Sequence, residues 1–205
     1  NLQTETLKNY DVRDGLQGNE FNAGAFHKSA SGEMFFGGVH GVSAFHPETI
    51  QDNPYLPPVV LTDFQIFNES APIGKDSPLS QSISEVEEIV LSYEDRVFSF
   101  EFAALNYIIP EKNQYAYMME GFDQDWVYSG NRRFATYTNL DPGTYTFRVK
   151  GSNNDGVWNE TGVSVRVVIT PPFWETMWFR VCALLVITAI IAGTYYLRIA
   201  AVKRQ

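Results

Sequence analysis

The stretch Val181–Leu197, VCALLVITAIIAGTYYL, contains no charged residue and is bracketed by Arg180 and Arg198. As an α-helix these residues would rise about 25 Å, close to the shortest length that crosses a hydrocarbon core. Trp174 and Trp178 precede the stretch, as aromatic residues do at a membrane interface. The alternative is a buried helix of a soluble domain, but such a helix usually keeps one polar face. This stretch has none, so we predict a transmembrane helix at residues 181–197.

The charges on either side of the predicted span indicate its orientation. Three basic residues and no acidic residue follow it, namely Arg198, Lys203 and Arg204. Before it, the charges of Glu175 and Arg180 cancel. An excess of Lys and Arg marks the cytoplasmic side of a span. We therefore expect residues 198–205 to form a short cytoplasmic segment and residues 1–173 to lie on the outer side of the membrane.

Composition limits the classes of partner. The chain has 205 residues, a formal net charge of -9 and 44% hydrophobic residues, which is sufficient for a substantial core. The acidic balance argues against a nucleic-acid partner, because phosphate binding requires clustered Lys and Arg. The single cysteine, Cys182, falls in the predicted span, so the outer part has no disulfide. The abrupt beginning at Asn1 leads us to interpret the sequence as an internal piece of a longer protein.

Residues 1–50 consist of short apolar runs separated by glycine-containing turns. The runs are Ala25–Lys28, Glu33–Phe36 and Val42–Phe45. Ser31-Gly32 and Gly37-Gly38 separate them, which predicts an antiparallel meander with two-residue turns. Because one small sheet is marginally stable in water, it needs neighbours. The earlier blades of a β-propeller would supply them upstream of this chain. Residues 51–58, QDNPYLPP, then predict a stiff proline-rich linker and a domain boundary.

Residues 59–170 carry longer runs with the period-two alternation of half-buried strands. The alternation is clearest in Val97–Phe102 and in Thr144–Gly151, where Tyr145, Phe147 and Val149 share one face. The predicted strands are Val59–Phe67, Ile89–Leu91, Arg96–Phe102, Gln114–Glu120, Trp126–Tyr128, Phe134–Thr138, Thr144–Gly151 and Val163–Ile169. Turn-rich segments, including residues 68–76 and 84–88, separate them. Seven or eight strands at this spacing predict an all-β, immunoglobulin-like or fibronectin-like sandwich.

The segment Leu140–Tyr145, LDPGTY, supports the sandwich. Pro142 and Gly143 suit the central positions of a type II turn, because glycine accepts a positive φ. Tyr145 follows at the start of a strand, which is the position of a tyrosine corner, where the hydroxyl bonds to the backbone upstream.

The polar and aromatic residues do not form a catalytic pattern. His27, His40 and His46 lack the spacing of a zinc site, and Gly37-Gly38-x-x-Gly41 is better explained as a hairpin turn than as a phosphate-binding loop. The carboxylates at residues 85–88 and at Asp123-x-Asp125 are expected in solvated loops. Trp126 and Trp158 could stack on a sugar ring, but we favour a place in the core. We therefore assign no catalytic, cofactor-binding or metal-binding residue, no cofactor, and no identified ligand-binding residue.

Several motifs in combination resemble a known family. The segments DGLQGNEF (14–21) and FGGxxGxxxFxP (36–47) resemble the last blade of the two-component regulator propellers. Three others resemble the domain called Y_Y_Y: PVVLTDF (58–64), YxYxxEGFDxxW (115–126) and YxNLxPGxY (137–145). The turn at residues 153–158 and PPFW (171–174) before a span are similar to the same family. The resemblance covers nearly the whole chain.

The resemblance implies a bacterial inner-membrane sensor with a periplasmic N-terminal part. The implied organisation is a last propeller blade at 1–50, a linker at 51–58, a Y_Y_Y sandwich at 59–170, a juxtamembrane segment at 171–180, one span at 181–197 and a cytoplasmic stub at 198–205. Related sensors bind oligosaccharides, mainly at the propellers. The implied output is a histidine kinase, with a diguanylate cyclase as the other possibility.

Our leading hypothesis is a homodimeric periplasmic transmission module between the upstream propellers and that output. The first alternative is a membrane-tethered carbohydrate-binding module or an accessory domain of a secreted hydrolase. A plain adhesion or scaffold sandwich is the second.

Overall fold

Three short antiparallel strands form the first sheet of the computed structural model, which describes residues 8–75 and 77–203. They are β1 (Phe26–Lys28), β2 (Met34–Gly38) and β3 (Gly41–Phe45), and they pair in sequence order. The predicted meander is therefore confirmed.

The prediction of two-residue turns at Ser31-Gly32 and Gly37-Gly38 is wrong at both places. Five residues, 29–33, connect β1 to β2, and the second turn lies beyond Gly38. Gly37 and Gly38 lie within β2, and the chain reverses at Val39 and His40. A Cβ atom on Gly38 would come 2.7 Å from the carbonyl oxygen of Glu20. This glycine therefore permits a close approach of the chain at residues 17–20 and does not make the turn.

Two further sheets pack face to face over residues 59–170. The strands are β4 (Val59–Ile66), β5 (Glu69–Ser70), β6 (Glu88–Ser92), β7 (Val97–Ala104), β8 (Tyr115–Glu120), β9 (Val127–Gly130), β10 (Phe134–Thr138), β11 (Gly143–Ser152) and β12 (Trp158–Thr170). One sheet has the order β10-β7-β4-β5 and the other β6-β12-β11-β8-β9. Within the described part of residues 59–170, the only helical segment is a 3-10 turn at Pro110–Lys112. The predicted all-β sandwich is confirmed.

Aromatic side chains from both sheets fill the core. The alternation in β7 places Phe98, Phe100 and Phe102 inward, each at most 1% exposed. Phe147 of β11 is fully buried, and its ring stacks on that of Phe100 with 4.2 Å between centroids. Burying one such side chain contributes about 1.5–3 kcal/mol relative to leaving it in water. The predicted inward face of β11 is confirmed for Phe147 and Val149.

Two turns differ from the predictions. Phe67 and Asn68 connect β4 to β5 with φ values of 52° and 65°, so the short strand β5 lies within a segment predicted as a link. A two-residue turn with positive φ at both positions matches the twist of a hairpin, but neither residue is the glycine that would announce it. The predicted type II turn at Pro142 and Gly143 is wrong. Gly143 begins β11 without a positive φ, and Asn139 takes that conformation instead (φ 53°).

The C-terminal helix α1 extends from Met177 to Lys203, beyond both ends of the predicted span. Its 27 residues correspond to about 40 Å. Met177–Tyr196 is long and apolar enough to cross a membrane, with a mean hydropathy of 1.9 and no residue buried in the fold. The hydroxyl of Thr188 donates to the carbonyl of Leu184 at 2.8 Å. Polar groups in this segment therefore find partners within the helix, as a hydrocarbon surrounding requires.

Candidate functional site

Asn153 fixes the proline-rich linker to one end of the sandwich, which we call the upper end. Its side chain is fully buried. The amide nitrogen donates to the carbonyl oxygens of Asn53 (2.7 Å) and Tyr55 (2.8 Å). The amide oxygen accepts from the backbone N–H groups of Asp155 (2.9 Å) and Val157 (3.0 Å). One side chain thus holds both its own turn and a segment 100 residues earlier in the sequence.

Further asparagines extend this amide network beneath the linker. The side chain of Asn106 donates to Asn113 (2.9 Å) and to Asn154 (3.0 Å). Asn159 donates to the carbonyl oxygen of Pro57 at 2.9 Å. In the described part of the chain, every buried side-chain nitrogen and oxygen has a hydrogen-bond partner. A fully satisfied buried network rigidifies the segment that it joins, so the linker is held in one arrangement on the sandwich.

Ion pairs connect the N-terminal segment to the same end. Lys8 bonds to Asp52 and, at 2.6 Å, to Asp155, and Lys112 contacts Asp14 at 2.5 Å. Burial opposes ionisation of Asp155, but the hydrogen bonds from Lys8 and from the Asn53 N–H outweigh it and lower the pKa of this carboxyl. The residues before the linker therefore contact the sandwich directly as well as through the linker.

At the opposite, lower end, the last strand leads into α1. Because β6 runs parallel to β12, both strands terminate at the lower end of the sandwich. The residues that follow them meet there, and the rings of Tyr93 and Trp174 pack edge to face at 5.3 Å. The Thr170 hydroxyl donates to the carbonyl of Leu91 at 3.0 Å, and Pro172 is buried. The start of the helix segment is thus packed against the sandwich.

The predicted tyrosine corner is confirmed at this lower end. The hydroxyl of Tyr145 donates to the carbonyl oxygen of Asp141 at 2.9 Å. A Cβ atom on Gly121 would lie 3.2 Å from the Tyr145 ring, so that ring also packs under the turn after β8.

Asp123 has a structural role that differs from the solvated loop predicted for it. Its Oδ2 accepts from the Met119 N–H at 2.7 Å and from the Tyr137 hydroxyl at 2.8 Å. Tyr137 belongs to the other sheet, so the carboxylate joins the two layers. Burial, together with this bond, raises the pKa of the Tyr137 phenol. Asp125 is exposed, as predicted.

Trp126 and Trp158 do not lie in the core, which corrects the prediction. Both are half-buried on the outer face of the five-stranded sheet. With Tyr128 they surround the ammonium group of Lys150, which lies 4.6 Å from the Trp126 ring and 5.6 Å from the other two. Glu160 pairs with the same nitrogen at 2.8 Å and is the main cause of the raised Lys150 pKa. The aromatic rings remain at the surface because a buried lysine stem occupies the space between them.

The three histidines lie apart from these features, in or just after the first sheet. His27 is in β1, His40 is in the β2–β3 turn, and His46 precedes a 3-10 turn. Among residues 8–75 and 77–203, no three His, Cys, Asp or Glu side chains cluster in a way that could hold a metal ion.

The asparagine network could not be predicted from the sequence. Residues 153–156 were identified only as a turn, which the structure confirms through the bond from the Gly156 N–H to the Asn153 carbonyl at 3.2 Å. The partners of Asn153 are distant in sequence, so only the asparagine-rich composition of the turn hinted at them.

Comparisons with known proteins identify the sandwich. Residues 106–170 match the Y_Y_Y domain. The chain is 41% identical over 200 residues to histidine kinase P4 of Formosa agariphila. The aligned region is 97% of this chain and 14% of that protein. The chain therefore spans about one seventh of that curated relative.

Solved structures agree with this assignment. The extracellular domain of BT3049, assigned to the hybrid two-component systems of B. thetaiotaomicron, has a TM-score of 0.64 and 30% identity over 79% of this chain and 22% of its own. The extracellular domain of BT4673 from the same organism, assigned to a one-component or hybrid two-component system, has a TM-score of 0.51 and 28% identity over 70% of this chain and 19% of its own.

The Y_Y_Y match begins after β7, but the structure pairs β4 and β7 into the same sandwich. Together with the candidate span Met177–Tyr196, these relatives indicate a membrane protein with an extracellular sensor portion. Residues 106–170 therefore match the Y_Y_Y domain, and the sandwich that contains them is similar to the extracellular domains of two-component systems.

Proposed function

We propose that this chain is the periplasmic transmission module of a single-pass sensor in a bacterial inner membrane. In this proposal, residues 1–50 are the last blade of a propeller that captures an oligosaccharide. The sandwich pairs with its copy in a homodimer, and the C-terminal end of α1 leads to a cytoplasmic histidine kinase. A diguanylate cyclase is the second candidate for the output.

The observation that carries the proposal is the pair of fixed junctions at opposite ends of one sandwich. Asn153 holds the linker at the upper end through bonds of 2.7 and 2.8 Å. Tyr93 and Trp174 pack together where the chain leaves for α1. Strand β12 has 13 residues, which correspond to about 43 Å of extended chain, and it reaches the lower junction through Pro171. A displacement of the propeller would therefore be passed on to the helix.

The switch in this proposal is a shift of population between two dimer arrangements. Ligand capture favours one arrangement because the upstream propellers bind the ligand better in it. The Lys and Arg residues after the span support a cytoplasmic C-terminus.

Replacing Pro171-Pro172 by Gly-Gly in the full-length receptor tests the relay. Two glycines at the lower junction add conformational freedom, so ligand-dependent output should be lost while the protein remains folded and inserted. The matched control places Gly-Gly at Asn131-Arg132, in an exposed turn, and should signal normally. Normal signalling by the junction variant would contradict the proposal.

Disulfide crosslinking of the sandwich dimer provides a second test, in a Cys182→Ala background. Crosslinks that lock the dimer should hold the output in one state. An output that still responds to ligand would show that the sandwich moves independently of the helix.

A membrane-tethered carbohydrate-binding module is the second candidate function, and the surface position of Trp126, Tyr128 and Trp158 favours it. Such rings can stack on a sugar, although Lys150 lies between them. Loss of glycan binding in Trp126→Ala would support it. The coding sequence beyond Gln205 separates the two candidates, because kinase or cyclase motifs support signalling and a stop codon supports tethering.

A further inference from the structure

We propose that the lower end of the sandwich is a lipid-contacting surface, which lies on the bilayer through two exposed phenylalanines, Phe67 and Phe122. This proposal rests on the proposed function, because it requires α1 to cross the membrane. It adds a partner, the headgroup region of the outer leaflet, for loops that are far in sequence from the helix.

The topology places both phenylalanines at the end from which α1 departs. Phe67 follows β4 and Phe122 follows β8, and both strands run toward the end at which β12 terminates. The N–H of Phe67 donates to the carbonyl of Val97, at the start of β7. The ring of Phe122 packs edge to face on Tyr137, near the end of β10. One aromatic side chain thus comes from each layer of the sandwich.

Both side chains are presented to the surroundings instead of the core. Phe67 and Phe122 are each 54% exposed. Phe67 has a φ of 52°, a conformation that bulky residues rarely adopt. The Phe67 ring is therefore exposed at a backbone position where a small or polar residue is usual, and it is available for an apolar contact.

The short connection to α1 brings this end close to the membrane. Six residues separate the end of β12 at Thr170 from the start of the candidate span at Met177, and they can extend at most about 20 Å. The packing of Tyr93 on Trp174 shortens the path further. The headgroup region is only about 5–8 Å thick on each side. The connection is therefore short enough for aromatic side chains at the lower end to reach the interface, into which Trp and Phe partition.

The exposed charged side chains at the lower end indicate which kind of lipid surface it contacts. Glu94, Asp141 and Glu175 are exposed at the same end and outnumber the exposed basic residues beside them, Arg96 and Arg180. They disfavour a strongly anionic bilayer, so the proposed partner is a zwitterionic surface contacted by apolar rings.

Site-specific fluorescence of the full chain in phosphatidylcholine nanodiscs tests this contact. In a Cys182→Ala background, an environment-sensitive dye is attached to Phe67→Cys or Phe122→Cys. A quencher carried on lipid headgroups should reduce the emission of either dye at least about twofold, as for an interfacial residue. Tyr107→Cys is the matched control, because Tyr107 is 79% exposed in the loop at the upper end, and its dye should be unaffected. Added anionic lipid should not increase the quenching at positions 67 and 122.

A fourth label, at Ile190→Cys within the span, separates this proposal from the proposed function. Its dye is tested with lipids that carry the quencher in their acyl chains. Quenching of that dye, with no quenching of the dyes at positions 67 and 122 by the headgroup quencher, would overturn the lipid contact and leave the span intact. Without quenching of the position 190 label by lipids that carry the quencher in their acyl chains, the membrane-spanning helix itself would be refuted. The emission of the dyes at positions 67 and 122 could instead change with protein concentration and not with lipid. That result would show that the surface contacts a second copy of the chain, and it would also overturn the proposal.

Discussion

Removing the Asn153 side chain should release the linker from the sandwich. Asn153→Ala deletes four hydrogen bonds of 2.7–3.0 Å from a fully buried position. At about 1 kcal/mol net for each bond, the free energy of unfolding should fall by about 4 kcal/mol. Since domains are stable by only about 5–15 kcal/mol, this is a large part of the total.

Asn153→Asp separates the two roles of the side chain. A carboxylate still accepts from the N–H groups of Asp155 and Val157, but it cannot donate to the carbonyls of Asn53 and Tyr55. The loss should therefore be at least about 2 kcal/mol, and the linker should become accessible while the turn persists. Asn131→Ala is the control, because that side chain is exposed and makes a single long bond of 3.5 Å. It should change stability by less than about 0.5 kcal/mol.

The assay is urea unfolding of the full chain in detergent micelles, combined with limited proteolysis of the linker at residues 51–58. Both Asn153 variants should be cut in the linker faster than the parent. A change of less than about 1 kcal/mol in Asn153→Ala, with unaltered linker cleavage, would refute the idea that the amide network holds the linker.

Three other predictions concern single side chains. Tyr145→Phe removes the hydrogen bond to the Asp141 carbonyl and should lower the free energy of unfolding in urea by about 1 kcal/mol. Tyr107→Phe is the control and should not change that free energy measurably. Because the pKa of Asp155 is lowered, its contribution to stability is complete above the ordinary carboxyl pKa of 3.8 and is lost as the pH falls below that value. The thermal unfolding temperature should therefore depend less on pH, between pH 5 and pH 2, in Asp155→Asn than in the parent. An unchanged pH dependence would contradict the ion pair assigned to Asp155. Lys150→Ala should lower the free energy of unfolding by about 2 kcal/mol and Lys150→Met by less than about 1 kcal/mol, because the lysine stem fills the space between the rings. Equal losses in the two variants would show that the charge of Lys150 matters more than its packing.

The sandwich could be predicted from the sequence because its signals are local. Alternation in Val97–Phe102 and Thr144–Gly151 reports a half-buried strand without any knowledge of its neighbours. The tyrosine corner was predictable for the same reason, since Tyr145 and Asp141 are four residues apart. The apolar, uncharged stretch before Arg198 similarly announced the helix α1.

The junctions and surface clusters depend on contacts between distant residues and could not be predicted in that way. Asn153 and Asn53 are 100 residues apart. Trp158 was expected in the core of the sandwich, but the register of β12 places it on the outer face beside Lys150. The turn at Phe67 lacks glycine, so a hairpin there gave no local signal.

The distance between the first sheet and the start of α1 shows whether the sandwich connects them as one stiff body. Spin labels at Ala30 and Met177, both exposed, report this distance by pulsed electron paramagnetic resonance in nanodiscs, with labelled chains diluted by unlabelled ones. The control is a pair within the sandwich, at Glu69 and Asn131. We expect a single narrow distribution of about the same width for both pairs. A broad or multiple distribution for the first pair, with a narrow one for the control, would show a flexible hinge at a junction, and the sandwich would then not be a rigid connection.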